Sequence, residues 1–423
     1  MMSYHYLLDL ALILLSTKLL GIATGKFQMP RVVGALLAGL ILGPAMLNIL
    51  SETEFLTQLS ELGVIVILFT AGMGTDLREL RSAGKAGFLV ALCGVLVPMG
   101  MGTGFGALAG KLGWLSGNTF LENLFLGTVL TATSVSITVE TLKELGRLDT
   151  KVGSTILAAA LIDDVLGLIA LTLVSSAAGD GGSLPLVLLK IVLFFAFAVA
   201  VACGGIWLFR RMIAMAHEKN LRRYPVFAFV LCLLLAYCAE EFFGVADIIG
   251  AFTAGLVVAC TPKADYIRSK FEPLSYLLLT PVFFAGIGIK VELPQMNGTL
   301  VIFSLLLLAV AILSKIIGCG LGAKLCGFDG KECIQVGCGM ACRGEVALIV
   351  ANRGLSMGVL SQAMMTPIVI TVVGCAVLTP ILLKLCFSGQ PEGVAAGNTL
   401  ADRYRKAEQL ERMSDEMLRK KTK

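Results

Sequence analysis

The sequence predicts an all-α protein that crosses a membrane about 13 times. Its 423 residues are 57% hydrophobic and only 15% charged, whereas soluble domains have about 25% charged residues. Apolar runs of about 20 residues, each long enough to cross a bilayer as a helix, recur along the whole chain. A steady alternation of charge between successive loops supports the same fold class.

The apolar segments follow one another with short loops between them. They lie near 5–24, 31–47, 58–76, 86–110, 119–142, 152–177, 184–209, 224–240, 246–261, 273–290, 299–323, 332–352 and 361–387. Each segment is interpreted as one transmembrane helix, and residues 391–423 are interpreted as a charged tail. The 12 cysteines fall mostly inside the segments, where they are expected to act as small buried apolar residues.

The loops form two sets that alternate along the chain. One set carries 18 lysines and arginines, and the other carries only Lys111, Lys290 and Arg353. Because basic loops remain in the cytoplasm, the N-terminus is expected outside and the tail inside a bacterial inner membrane. The net charge of +5 comes from these loops and the tail, so the expected surroundings are membrane lipids and not nucleic acid.

Two stretches of the first half recur in the second half. The stretch "VVGALLAGLIL" begins at Val32 and "IIGAFTAGLVV" begins at Ile248, while "FTAGMG" at Phe69 resembles "FFAGIG" at Phe283. Small residues at such spacing are common in membrane helices, but both pairs lie about 215 residues apart, a coincidence that the general pattern does not explain. The second and ninth spans start on opposite sides of the membrane, so the halves are predicted to be inverted repeats, as in many secondary transporters.

Polar stretches lie in the middle of the fifth and twelfth segments, which are equivalent in the two repeats. The fifth contains "TATSVSIT", with Thr131, Thr133 and Ser134, and the twelfth contains "GCGMACRGEVALI". Hydroxyl groups often bond back to their own helix, but the equivalent positions favour two broken helices. Helices broken at this depth leave backbone carbonyls that can bind a cation.

Two adjacent carboxylates, Asp163 and Asp164, lie within the apolar run "AAALIDDVLGLIAL". A charge at the centre of a bilayer costs about 2.5–3.5 kcal/mol on insertion scales, so an ionisable residue there indicates function. Neighbours on a helix point about 100° apart, and the two side chains therefore need different partners. Burial favours the protonated carboxyl group, so such groups can bind either a proton or a hard monovalent cation.

Three more charged residues lie deep in predicted spans. Lys315, in "LSKIIGCGLGA", is the natural counter-charge for the aspartates, because a snorkelling lysine would lie nearer the membrane surface. Arg343 and Glu345 are expected to neutralise the ends of the broken helices.

Five stretches together resemble the cation:proton antiporter-2 family and, more distantly, the sodium/proton antiporters of the NapA/NhaA type. They are "PRVVGALLAGLILGP", "TATSVSITVETLKELG", "LIDDVLGLIAL", "LSKIIG" and "GMACRGEVALIVANRGL". The resemblance implies an NhaA-like fold with two broken crossing helices, assembled as a homodimer. It implies core helices at about 86–177 and 299–387, dimerisation helices at about 5–76 and 224–290, and a linker helix at about 184–209.

The resemblance also implies roles for the polar residues. The expected cation and proton site contains Asp164, Asp163, Thr131, Thr133 and Ser134. Within it, Asp164 is the main carboxylate and would hold the cation together with Thr131 and Ser134, while Asp163 would pair with Lys315. Paired aspartates are typical of electrogenic members of the family, and no cofactor is expected beyond the transported Na+ and H+.

The expected function is exchange of a monovalent cation for protons by an elevator mechanism. Sodium is the first candidate, with Li+ and K+ as others; K+/H+ exchange, a cation channel and an ion-driven symporter remain alternatives. An enzyme is not expected, because adjacent aspartates on one helix cannot face each other as in an intramembrane aspartyl protease.

The tail is expected to be a solvated cytoplasmic helix or a disordered end. The alternative is that it lies on the anionic inner leaflet or against the basic loops and limits movement of the core helices. In that case truncation after Glu392 would shift the pH or cation dependence of exchange.

Overall fold

The structure, a computed structural model, describes residues 4–26, 29–75, 77–114, 119–178, 184–215, 223–261, 263–291 and 298–388. Within these ranges the regular elements are all helices, and no strand occurs. The predicted tail at 391–423 lies outside the described residues.

Sixteen α-helices make up the described part of the chain. They are α1 (His5–Lys26), α2 (Arg31–Leu42), α3 (Glu54–Gly74), α4 (Leu77–Lys111), α5 (Phe120–Val129), α6 (Val135–Glu144), α7 (Lys151–Ala177), α8 (Leu184–Met215), α9 (Arg223–Phe243), α10 (Asp247–Ala259), α11 (Ala264–Leu274), α12 (Thr280–Ile289), α13 (Gly298–Leu325), α14 (Gly330–Gly339), α15 (Glu345–Ser356) and α16 (Gln362–Phe387). A π-helical turn, Ser275–Leu279, joins α11 to α12.

Each predicted span coincides with one helix or with one interrupted pair of helices, so the all-α fold class is confirmed. Two predicted boundaries are wrong: the helices of the fourth and tenth spans begin at Leu77 and Ala264, nine residues before the apolar runs. Basic residues in these turns were interpreted as loop, but a charged side chain on the wet surface of a helix has no reason to end it. In α11, for example, Arg268 pairs with Glu272 one turn later at 3.0 Å.

Nine helical stretches among the described residues are long and apolar enough to cross a membrane. The shorter apolar helices include α2, α5 and α10. The count of 13 spans therefore stays a prediction.

Threonine and aspartate residues mark several helix starts. The hydroxyl groups of Thr53, Thr119 and Thr150 accept hydrogen bonds from the first-turn N–H groups of α3, α5 and α7. Asp329 and Glu332 form a capping box at the start of α14. These contacts satisfy N–H groups that a helix leaves unpaired at its start.

The helices pack in two groups. The inner group contains α4–α7 and α13–α16, and the outer group contains α1–α3 and α9–α12. Helix α8 contacts both groups, through α7 and through α9 and α10. The roles of the groups as core and dimerisation helices, with α8 as the linker, stay a prediction.

In the outer group α2 packs on α12, so closely that a Cβ on Gly39 would meet the Ala285 carbonyl. In the same way α10 packs on α3, where a Cβ on Gly255 would meet the Phe69 carbonyl. This reciprocal packing suits two related halves, although their inverted relation stays a prediction.

Two helices of the inner group are broken, as predicted for the fifth and twelfth spans. The first break, residues 130–134, separates α5 from α6, and the second, residues 340–344, separates α14 from α15. The breaks touch: the Ser134 N–H donates to the Cys342 carbonyl at 3.0 Å. We call these two breaks together the crossing.

Gly344 allows the breaks to approach each other. Its backbone is extended, and a Cβ there would lie 2.7 Å from Ser134 Oγ. One turn into α6, the Thr138 hydroxyl donates to the Gly339 carbonyl at 2.8 Å. Both breaks therefore satisfy part of their backbone through the other break, which irregular backbone at membrane depth requires.

Candidate ion-binding site

A buried ion pair lies at the centre of the inner group. Lys315 of α13 donates to both carboxylate oxygens of Asp163 of α7, at 2.8 Å to Oδ1 and 3.0 Å to Oδ2. The lysine is fully buried and the aspartate is 2% exposed. The structure thus places the two predicted partners in direct contact.

Two further groups enclose this pair. The Thr133 hydroxyl, at the first break, donates to Asp163 Oδ2 at 2.7 Å. On another side α4 passes so closely that a Cβ on Gly94 would lie 3.5 Å from Lys315 Nζ and 3.6 Å from Asp163 Oδ1. Asp163 therefore accepts three hydrogen bonds in a buried environment, where each bond is electrostatically strong.

Asp164 has different surroundings from its neighbour. It follows Asp163 on α7 but is only half-buried, because successive helical residues point in different directions. Asp163 is thus held in the ion pair, whereas Asp164 is partly exposed as a residue although its Oδ2 atom is buried. This division between the two aspartates is the one expected from their spacing.

The other hydroxyl groups of the predicted site lie at the first break. The Thr131 hydroxyl donates to the Thr128 carbonyl at 2.7 Å, and the Ser134 and Ser136 hydroxyl oxygens are 3.3 Å apart. The Thr131 proton thus bonds back to the preceding helix, the alternative considered from the sequence. Its oxygen still has lone pairs that can accept a cation.

Arg343 lies at the second break and is fully buried. It donates to the Ala341 carbonyl and to the Ala311 carbonyl of α13, both at 3.2 Å. Of these two carbonyls, that of Ala341 belongs to the break, whereas that of Ala311 belongs to the continuous helix α13. The expected role of Arg343 in neutralising the ends of the broken helices stays a prediction. Glu345 is the first residue of α15, and its side chain lies outside the described residues.

Gly94 is the site residue that sequence reasoning missed. It is one of 47 glycines, and no motif distinguishes it from the others. Gly344 lay inside a quoted motif, but its role in bringing the breaks together was also not anticipated. Both glycines matter because they have no side chain at a point where another helix or loop comes close. Those neighbours are distant in sequence, so the local sequence does not reveal the contact.

The arrangement is suited to binding ions and not to bond chemistry. It combines a fixed ion pair, an adjacent half-buried carboxylate and backbone freed by two helix breaks. Such sites at membrane depth are typical of transporters, and the geometry offers a carboxylate that a cation or a proton can occupy.

Comparison with known proteins supports this interpretation. Residues 11–387 match the family described as "Sodium/hydrogen exchanger, transmembrane". The chain is 39% identical over 396 residues to the Na+/H+-K+ antiporter GerN of Bacillus cereus, covering 93% of this chain and 100% of the relative. It is 35% identical over 384 residues to a Na+/H+ antiporter of Enterococcus hirae, covering 89% and 96%.

A solved structure shows the same fold. The electron-microscopy structure of the sodium proton antiporter MjNhaP1 from Methanocaldococcus jannaschii matches with a TM-score of 0.66 at 18% identity, covering 92% of this chain and 97% of that chain. Fold, site and relatives together define a multi-pass membrane transporter and not an enzyme. The chain belongs to the sodium/hydrogen exchanger family, and the family resemblance found in the sequence is confirmed.

Proposed function

We propose that this protein exchanges a monovalent cation, in the first place Na+, for protons across a bacterial plasma membrane. The observation that carries the proposal is the buried Asp163–Lys315 pair next to the half-buried Asp164. Asp164 is the group that binds the cation or the proton, one at a time.

The charge of the buried pair supports this assignment. Asp163 and Lys315 neutralise each other at a distance of 2.8 Å, so neither is available to hold a transported cation while the pair is intact. Taking two charges out of water costs several kcal/mol per ion, and a packed apolar pair would fill the same space without that cost. Asp164 remains as the negative charge next to the crossing.

The ligands proposed for the cation are oxygens of three side chains. They are the Asp164 carboxylate and the hydroxyl oxygens of Thr131 and Ser134. Hard cations prefer oxygen ligands, and the backbone carbonyls freed at the crossing lie in the same part of the fold. Protonation of Asp164 removes its negative charge, so a proton and a cation compete for the site.

Exchange follows from this competition if the site opens to the two sides of the membrane in turn. We propose an elevator motion in which the inner group carries the site past the outer group. Competition of one cation with one proton at Asp164 alone would be electroneutral. The electrogenic exchange that we propose therefore requires the Asp163–Lys315 pair to bind or release a second proton in each cycle. The protein is proposed to act as a homodimer, with the N-terminus outside and the C-terminus in the cytoplasm.

The test is proton movement in proteoliposomes that contain a pH-sensitive dye. Adding Na+, Li+ or K+ to the outside should release protons from the lumen, and the order of half-maximal concentrations reports the preferred cation. Asp164→Asn is the negative control, because an amide neither releases a proton nor carries a charge.

The alternatives give different results in the same liposomes. A strongest response to K+ would make the protein a K+/H+ antiporter. A channel would let cations run only down their gradient, whereas an antiporter moves them against a gradient at the expense of protons. A symporter would move both ions in the same direction, so cation addition would acidify the lumen.

A further inference from the structure

A cavity of about 510 Å³ opens in the inner group, away from the crossing. Its walls come from the start of α4, the first turns of α7 and the loop after α13. The volume falls in the range of small-molecule sites, about 300–1,000 Å³.

The walls carry positive charge and no carboxylate. Lys85 and Lys151 line the cavity, and its lining residues include neither aspartate nor glutamate. Lys151 pairs with Glu332 at 3.2 Å, which offsets part of its charge, and lies over the Phe328 ring at 4.0 Å, while its side chain is 61% exposed. Lys85 takes part in none of the ion pairs between described side chains.

Hydroxyl groups complete the polar lining. Ser82 comes from α4, and Ser154 and Thr155 come from α7, where both are buried. The positive end of the α7 dipole lies at the same place and favours an anion by electrostatics. The Thr155 hydroxyl donates to the Lys151 carbonyl at 2.7 Å. The donors suited to phosphate oxygens are therefore the ammonium groups of Lys85 and Lys151, with the Ser82 hydroxyl beside them.

The helices that form the cavity are also those that enclose the ion pair. Gly94 lies on α4, Asp163 on α7 and Lys315 on α13. Along α7 the distance from Lys151 to Asp163 is about 18 Å, at about 1.5 Å per residue. An anion between the ends of these helices would link them across the cavity.

We propose that this cavity binds a phosphate group, from the membrane face on which the basic loops lie. The group belongs either to a soluble phosphate compound or to the headgroup of an anionic lipid, since both present the same oxygens to Lys85. Binding stabilises the packing of α4, α7 and the end of α13. This proposal does not depend on which ions the protein transports.

The experiment measures thermal unfolding of the full chain. In a neutral detergent, potassium phosphate is titrated against potassium chloride at equal ionic strength, so that general screening is cancelled. In a second arm, nanodiscs of phosphatidylcholine are compared with nanodiscs that also contain phosphatidylglycerol. The variants are Lys85→Gln and the matched control Lys111→Gln, at the opposite end of the same helix.

A ligand that binds the folded state raises the Tm as its concentration rises. Phosphate should raise the Tm of the wild type and of Lys111→Gln. Lys85→Gln should then need about fivefold more phosphate for the same rise, because it lacks one lysine of the anion-binding site. If only the phosphatidylglycerol nanodiscs raise the Tm, and Lys85→Gln abolishes the rise, the ligand is a lipid headgroup. If neither probe raises the Tm, or if Lys85→Gln responds like Lys111→Gln, the proposal is wrong.

Discussion

Helices of the outer group and of the inner group both approach each other closely at glycine residues, but the contacts have different roles in the two groups. In the outer group α10 and α3 approach each other at Gly255 and Gly72. In the inner group α4 and α13 approach at Gly318, where a Cβ would lie 2.6 Å from the Cys93 carbonyl oxygen. Lipid tails compete for apolar surface, so close backbone contact rather than hydrophobic burial holds membrane helices together.

The difference lies in what the contact encloses. The close contacts of the outer group bring backbone and apolar side chains together, whereas the contact of α4 with α13 covers the Asp163–Lys315 pair. At the contact of α10 with α3, small residues allow close helix packing. At the contact of α4 with α13 they allow the same packing and also keep the ion pair away from water. Substitutions in the two groups should differ accordingly in their effects on stability and on exchange.

The largest expected effect is on exchange, from Asp164→Asn in the inner group. We expect exchange to fall to the level of empty liposomes, because the amide can neither ionise nor neutralise a cation. The fold should survive, since the two side chains have nearly the same shape. Proton release on sodium addition checks the first point, and the unfolding temperature in detergent checks the second.

Asp149→Asn is the matched control, because Asp149 is exposed just before the same helix. It should exchange normally. Wild-type exchange by Asp164→Asn would mean that the transported ions bind elsewhere.

The largest expected effect on stability comes from breaking the buried pair. Lys315→Ala leaves Asp163 buried without its cation, which costs about 3–5 kcal/mol for a buried pair. The double variant Asp163→Asn with Lys315→Gln removes both charges and should regain part of that loss. Denaturation of the wild type, Asp163→Asn, Lys315→Gln and this double variant, which form a closed double-mutant cycle, measures the coupling free energy. Purely additive losses would argue against a direct interaction.

A smaller loss of stability should follow Gly255→Ala in the outer group. The added Cβ would meet the Phe69 carbonyl, and overpacking of this kind costs about 1–3 kcal/mol. Gly104→Ala on α4 is the control, because nothing lies within 4 Å of its Cβ, and it should be neutral or slightly stabilising. If Gly255→Ala abolished exchange while leaving the Tm unchanged, close packing in the outer group would not have a purely structural role.

The smallest expected effect on exchange is that of Thr133→Val, which leaves Asp164 and the Asp163–Lys315 pair in place. This change removes one hydrogen bond to Asp163 and should cost about 1.5–3 kcal/mol at most, the range for a bond to a charged group. The free energy of unfolding in detergent measures this loss. Thr172→Val, whose hydroxyl bonds within its own helix at 2.8 Å, should leave the free energy of unfolding nearly unchanged.

The features predicted correctly from the sequence depend on properties of short stretches. Apolar length placed the helices, and the two adjacent aspartates marked α7 without any knowledge of their neighbours. The two breaks followed from polar residues at equivalent mid-span positions. Each of these signals is contained within about one helix.

The features that were missed depend on contacts between distant helices. Gly94 matters because α4 passes over a pair formed by α7 and α13, and nothing in its own neighbourhood records this. The start of α11 was missed because helix ends in the wet region depend on local pairs such as Arg268 with Glu272, and not on hydropathy. The pairing of Thr133, rather than Ser134, with Asp163 depends on the conformation of the break itself.

The contact between the two breaks also has a consequence for synthesis of the protein. The Thr138 hydroxyl bonds to the carbonyl of a residue 201 positions later, which a ribosome reaches about 10–40 s afterwards at about 5–20 residues per second. Throughout that delay the Ser134 N–H and the Thr138 hydroxyl lack the partners that they have in the folded protein. The newly made first half must therefore stay near water or near the insertion machinery until α14 arrives, and a chain released before that point has no way to complete the crossing.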